Sequence, residues 1–197
     1  MPKLGMGPIR RKQLIEAVLN CIDEWGLSET TTQRISKQAQ VSAGIINHYF
    51  SGKDGLLEAA MRQILKDLQL GVKARLSTIP QEDFKARVHA IIDGNFDHTQ
   101  MTSAARKAWL AFWAEAMHKP ELRRLQNVNA KRLVSNLTFE LNKAFPRSQA
   151  QHMAEVIAAA IDGVWLREAL NITPSDVATS RKKVEDVFHL FLTRYEH

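Results

Sequence analysis

From Ile15 onward the apolar residues of this chain recur at three- and four-residue intervals, and no stretch alternates apolar with polar residues between turn signals. That period fits helices and excludes sheets, so the sequence predicts an all-α fold. Ile15, Val18, Leu19, Ile22 and Trp25 form one stripe and predict an amphipathic helix over 9–25. Gly26 suits the residue that closes it, because glycine enters left-handed backbone without a Cβ clash. Thr31 is an N-cap for a second short helix over 32–39, Ser42 for a third over 43–49, and Ser51 opens a fourth that runs to about Leu76. Pro80 is the first clear break after it. Longer helices follow over 83–96, 102–118, 121–144, 148–170 and 175–195, with Pro120 and Pro146 marking two of the stops. The organisation is about nine helices: a small N-terminal unit, 1–52, joined by a continuous helix to a larger helical body, 53–197.

The 197 residues are 45% hydrophobic and 24% charged, which suffices for a packed core and excludes a disordered chain. A single cysteine, Cys21, excludes an intrachain disulfide framework and a Cys-rich zinc site and fits a reducing, cytoplasmic compartment. Its place near the apolar stripe suits a buried structural thiol. The longest apolar run, 156–166, is too short for a membrane span and is interrupted by Asp162. The opening residues, MPKLGMGPIRRKQ, lack the apolar centre of a signal peptide. Net charge is +6, and residues 1–12 hold Lys3, Arg10, Arg11 and Lys12 with no acid among them. An anionic partner is therefore expected near the N-terminus. Motifs for phosphate loops, zinc proteases, serine hydrolases and dinucleotides are absent, so no enzymatic role, metal or cofactor is expected.

Residues 31–50 read TTQRISKQAQVSAGIINHYF, two short helices around a tight turn. This spacing suits a helix-turn-helix, with Ile35, Ala39, Val41 and Ile46 packing the pair. The second helix then presents Ser42, Ala43, Gly44, Asn47, His48 and Tyr49. Small residues at a helix start allow close approach to a phosphate. Asn47 and His48 have the reach for base edges in a major groove. Lys53 suits a backbone phosphate, Arg10 and Arg11 form a basic arm ahead of the first helix, and Thr31 and Arg34 complete the candidate DNA contacts. Such segments also occur in helical proteins that bind no nucleic acid; the basic residues on both sides favour DNA.

The stretch VSAGIINHYFSGKDGLL, with Val41, Ser42, Gly44, His48, Tyr49, Phe50, Lys53 and Leu56 in register, resembles the third helix and following turn of the TetR family of bacterial repressors. The resemblance covers roughly residues 9–60. It implies a homodimer that places one reading helix in each half of a roughly palindromic double-stranded operator. Asn47 stands where the family often has a phosphate-touching tyrosine, which opens base readout at this position. Gln40 stands where a turn glycine is common, and a left-handed backbone there costs it about 1 kcal/mol.

In the larger body, Trp109, Phe112 and Trp113 share one helix face. Trp165 follows Asp162 on another helix, and Asp93 stands near Phe96. Aromatic faces with a carboxylate suit a quaternary ammonium, which has no N–H to donate and is held by ring quadrupoles and a counter-charge. An aromatic face at this spacing also suits a plain core. The segments GNFD (94–97), KAWLAFWAEAMH (107–118) and IDGVWLR (161–167) resemble the choline-sensing branch of the TetR family, which represses choline uptake and glycine-betaine synthesis. That resemblance implies choline, or a similar ammonium, as inducer. It makes Phe96, Trp109, Phe112, Trp113 and Trp165 the cage candidates and Asp162 or Asp93 the counter-charge. It also implies dimerisation through the last two helices, whose stripes are Ala154, Ile157, Ala158 and Ile161, and Val184, Val187, Phe188, Phe191 and Leu192. The competing readings are a repressor of this type with a different ligand, and a helical carrier or enzyme without DNA binding.

Overall fold

The computed structural model describes residues 6–171, 173 and 175–195; Lys3 lies outside them. Among the described residues there are nine α-helices: α1 (Met6–Glu29), α2 (Thr32–Gln38), α3 (Gly44–Phe50), α4 (Gly52–Leu76), α5 (Phe84–Asn95), α6 (Ser103–Ala116), α7 (Pro120–Leu141), α8 (Arg147–Leu170) and α9 (Val177–Tyr195). The all-α expectation holds. Pro120 is the first residue of α7 and Pro146 the N-cap of α8. A proline is tolerated at both places because no intrahelical N–H is needed there.

Local chemistry sets the boundaries of the short helices. The Thr31 hydroxyl accepts from the Arg34 amide at 3.2 Å and caps α2. Gly26 has φ +75° and ψ 168°, a break after which one further turn completes α1. Gln40 lies in the turn between α2 and α3 at φ +52°, so it adopts the strained left-handed conformation. Ser42 differs from the expectation. The N-cap of α3 is Ala43, in helical conformation, and no side chain caps the helix. The Ser42 carbonyl instead accepts from the Ile45 amide. Arg10 and Arg11 also differ: they lie inside α1 rather than in an arm ahead of it.

The chain forms two compact units. One comprises the residues up to Ile64 together with Ser103–Arg123, hence α1–α3, the first half of α4, and α6. Its core includes Leu14, Val18, Cys21, Ile22, Ile35, Ile46, Leu56, Leu57, Met61 and Phe112. Cys21 is fully buried, and burial pushes its thiol pKa up. Helix α6 lies along α1, and Asp23 fastens them: it accepts from Ser103 at 2.6 Å and pairs with Lys107 at 2.8 Å. Lys119 pairs at 2.7 Å with both Asp54, at the start of α4, and Glu115 on α6. Burial works against its charge, but the hydrogen bonds to the two carboxylates outweigh that and raise its pKa.

The other unit comprises Leu65–Thr102 and the residues from Arg124 onward. The GNFD segment is its junction. A Cβ on Gly94 would come within 2.4 Å of Val72 Cγ2 and 3.2 Å of its Cα, so α5 crosses α4 where only glycine fits. Phe96 is buried. Asp97 accepts from Arg75 Nη2 at 2.5 Å and from the Thr99 amide at 3.0 Å. Burial alone would raise its pKa, but these hydrogen bonds hold the carboxyl at about 2. Deeper in, the buried Arg87 pairs with Glu140 at 2.9 Å and donates to the Leu76 and Ile79 carbonyls at 3.0 and 3.1 Å. It thereby satisfies the open C-terminal end of α4.

Two outcomes follow. Gln40→Gly removes the left-handed strain and raises the thermal midpoint, a gain of about 1 kcal/mol; an unchanged or lower midpoint contradicts that strain. Asp97→Asn costs about 1–2 kcal/mol at neutral pH. Because the folded pKa lies below the ordinary carboxylate value, this stability is present above about pH 4 and is lost as pH falls towards 2. In urea titrations, the gap between parent and variant therefore narrows over that interval.

Candidate DNA interface and ligand site

Ile46 and Phe50 anchor α3 to the core and so fix which face it presents. Ser42, Ala43, Gly44, Asn47 and His48 are exposed, and Tyr49 is half-buried, with the His48 and Tyr49 rings edge-to-face at 4.9 Å. The predicted reading residues therefore come together on one side of a short helix. The Ser42 hydroxyl is not spent on a cap, which leaves it open to a phosphate. Gly55, one turn into α4, lets that helix begin hard against α3: a Cβ there would stand 1.7 Å from the Phe50 carbonyl oxygen. Lys53 is half-buried on the same first turn and has no ion-pair partner among the described residues.

The predicted arginines divide differently. Arg11 donates to the Tyr49 carbonyl at 2.8 Å, and its guanidinium lies 4.4 Å from the centre of the Phe50 ring. This side chain holds the C-terminal end of α3. Arg10 donates to Gln13 at 2.7 Å, and Gln13 donates to the Ala39 carbonyl at 2.7 Å, which ties α1 to the turn. Arg34 donates to the Glu29 carbonyl at 2.6 Å and stacks over Trp25 at 5.2 Å. The Thr31 hydroxyl is engaged as the cap. Sequence reasoning passed over Lys37, exposed in the last turn of α2 beside Gln40; its signal was a basic residue at the edge of the predicted turn.

The predicted ligand residues fall into the two units. On α6, Trp109 packs against Phe112 and Trp113 with ring centres 5.8 and 5.7 Å apart. Trp109 and Phe112 are buried and Trp113 is half-buried. In the other unit, Trp165 is buried and donates from Nε1 to the Asn95 carbonyl at 3.1 Å, beside Phe96. The GNFD segment thus positions the Trp165 ring. Asp93 faces Arg181 at 3.5 Å; burial raises its pKa, and Arg181 opposes that rise. Asp162 is exposed on α8, yet the protein around its carboxyl raises the pKa to about 6, and no cation among the described residues opposes it. Of the two carboxylates, Asp162 is the one without a positive partner.

The stripes expected on the last two helices are mostly buried within the protomer. Ala154, Ile157, Ala158 and Ile161, and likewise Val184, Phe188 and Leu192, belong to its core, while Val187 and Phe191 are half-buried. Exposed apolar side chains on these helices are Leu166 and Leu170 on α8 and Leu190 on α9. Among the described residues, no helix is long and apolar enough to cross a membrane, and no cluster of His, Cys, Asp or Glu is suited to a metal.

The TetR family of bacterial regulatory proteins matches residues 14–60, and the C-terminal domain of BetI-type transcriptional repressors matches residues 84–192. The chain is 52% identical over 195 residues to the HTH-type transcriptional regulator BetI 2 of Chromohalobacter salexigens, covering 99% of this chain and 94% of that one. It is 53% identical over 176 residues to BetI of Klebsiella pneumoniae, covering 89% and 90%. Among solved structures, a transcriptional regulator from Saccharomonospora viridis in complex with choline superposes with a TM-score of 0.81 at 20% identity, over 92% of this chain and 96% of that one. A TetR regulator from Haloarcula marismortui gives 0.81 at 19% identity, over 93% and 98%. These two likenesses concern the fold. The sequence relatives and the matches to both halves carry the assignment: the chain belongs to the TetR family of transcriptional regulators, in its BetI-type branch.

Proposed function

We propose that this regulator is a cytoplasmic homodimer that represses choline uptake and glycine-betaine synthesis genes and releases its operator when choline binds. The observation that carries the DNA reading is the exposed face of α3, where Ser42, Gly44, Asn47 and His48 stand clear of the core that Ile46 and Phe50 enter. Asn47 and His48 read base edges. Ser42, Tyr49 and Lys53 hold phosphates. Arg11 acts one step back, by fixing the end of α3 through the Tyr49 carbonyl. A two-fold dimer through α8 and α9, using Leu166, Leu170 and Leu190, supplies two reading helices for a palindromic operator.

For the inducer, the support is the kinship with BetI proteins together with the chemistry of aromatic rings and Asp162. Trp165 and Asp162 lie three residues apart on α8 and offer a ring and a carboxylate not already neutralised to a quaternary ammonium; in the other unit, Trp109 and Trp113 offer rings on α6. A ligand alters DNA affinity only if it favours one arrangement of the reading helices over another. A ligand held by the α6 rings has a lever within that unit. The aromatic face lies on the same helix that Asp23 and Lys119 fasten to α1 and to the start of α4. Movement of α6 is thereby transmitted to the helix-turn-helix through ion pairs rather than through α4 alone.

Fluorescence polarisation of labelled DNA from upstream of this gene, at fixed salt with and without choline, tests the proposal: saturable binding that choline weakens is expected. Lys53→Ala flattens the dependence of log affinity on log salt by about one unit, the loss of a single phosphate contact; an unchanged slope removes Lys53 from the interface. Asn47→Ala relaxes sequence preference more than it lowers affinity. Choline binding follows Asp162. Its ionised form attracts the cation, so affinity rises as pH goes up through about 6 and binding expels a proton near that pH. In calorimetric titrations Asp162→Asn is weak and flat across the interval, whereas a parent profile that is itself flat assigns the counter-charge elsewhere.

A further inference from the structure

The aromatic side chains assigned to the inducer differ in what their polar atoms do. Phe96 and Phe112 have none. Trp165 spends its N–H on the Asn95 carbonyl at 3.1 Å. Trp113 does not: its Nε1 is enclosed by protein and has no acceptor among the described residues. The Trp113 side chain as a whole is only half-buried, so it is the N–H in particular that is closed off from solvent. The one carboxylate on α6, Glu115, is engaged by Lys119 at 2.7 Å.

A buried donor without an acceptor is uncommon, because it gives up its hydration and gains no bond in return. Packing alone does not call for one here. Phenylalanine would keep the ring contact with Trp109, whose centre lies 5.7 Å away, and would leave no polar atom unmet. The indole is therefore suited to an acceptor that arrives with a ligand. An oxygen brought to this N–H meets a donor already removed from solvent, so the bond forms without the usual desolvation cost on the protein side. The methyl groups of a quaternary ammonium need only ring faces and charge, and they offer no acceptor. Choline adds one hydroxyl oxygen to such a cation, and that oxygen is the atom this donor can recognise.

We propose that Trp113 is a specificity-determining residue for the inducer: its indole N–H donates to the hydroxyl oxygen of choline and so separates choline from an alkyl ammonium of the same length. This inference rests on the ammonium reading given above, with the α6 rings as the seat of the ligand. Ring faces take the trimethylammonium end, and the edge of Trp113 takes the other. Because α6 belongs to the compact unit that holds α3, the oxygen is recognised within the unit that reads DNA.

Propyltrimethylammonium is the discriminating probe, since it puts a methyl in place of the hydroxyl and keeps charge and length. In calorimetric titrations of the full chain, choline is expected to bind at least about tenfold tighter than this probe. Trp113→Phe removes the N–H and keeps a ring; it should weaken choline about tenfold more than the probe, so that the preference disappears. A role in packing alone weakens both compounds alike and preserves their ratio. In magnetic resonance spectra the indole N–H signal of Trp113, assigned by its loss in Trp113→Phe, should move downfield with choline and not with the probe. Circular dichroism checks that the variant is folded; if it is not, the parent's preference decides, together with an indole signal assigned through Trp113→Tyr. Equal affinity of the parent for the two compounds, an unchanged ratio in Trp113→Phe, or a Trp113 signal indifferent to choline overturns the proposal and leaves ammonium binding in place. Absence of binding by both compounds overturns the ammonium reading and this inference with it.

Discussion

The Arg87–Glu140 pair closes the ligand-domain unit. A guanidinium and a carboxylate this deeply buried are tolerable only together, and removal of one partner leaves a desolvated charge at a cost of about 3–5 kcal/mol. Burial alone would raise the Glu140 pKa; Arg87 and Lys143 reverse the direction and keep it ionised. What the pair secures is geometric. Arg87 caps the carbonyls at the end of α4 from α5, while Glu140 ties that cap to α7. The three helices thus linked also enclose a cavity of about 500 Å³.

A parallel arrangement organises the DNA-reading unit. Here the polar ties lie near the surface and join elements distant in sequence: Asp23 with Ser103 and Lys107, Lys119 with Asp54. Individually such pairs contribute little stability. Their effect is to index α6 against α1 and against the first turn of α4. A helix that carries an aromatic face is thereby fastened to the helices that support α3. The aromatic helix and the reading helix are thereby held within one unit.

Much of this was legible in the residues, and the reason differs from place to place. Periodicity predicts the helices, because an amphipathic stripe reports which face is buried whatever it is buried against. Thr31, Gly26, Pro120 and Pro146 mark boundaries because capping and backbone restriction act within a turn or two. The left-handed Gln40 follows from comparison with the glycine common in the family. Ser42 shows the limit of local rules: it is a good cap by type, but the backbone enters α3 one residue later. Arg11 is of a different kind. Its charge reads as a phosphate contact, yet the fold brings Tyr49 and Phe50 beside it, and no local pattern signals that. The same holds for the Gly94 crossing with Val72 and for a cavity whose lining comes from three separate helices.

Cys21 is the only cysteine in the chain, fully buried between α1 and its neighbours, with its thiol pushed away from the reactive thiolate. To thiol reagents the folded protein is therefore silent. A single cysteine placed on the exposed face of α3 or at the outer end of α9 becomes the one reactive position in each subunit, without any background residue to remove. Spin labels or fluorophores attached there report on that position alone, in solution, as DNA or choline is added.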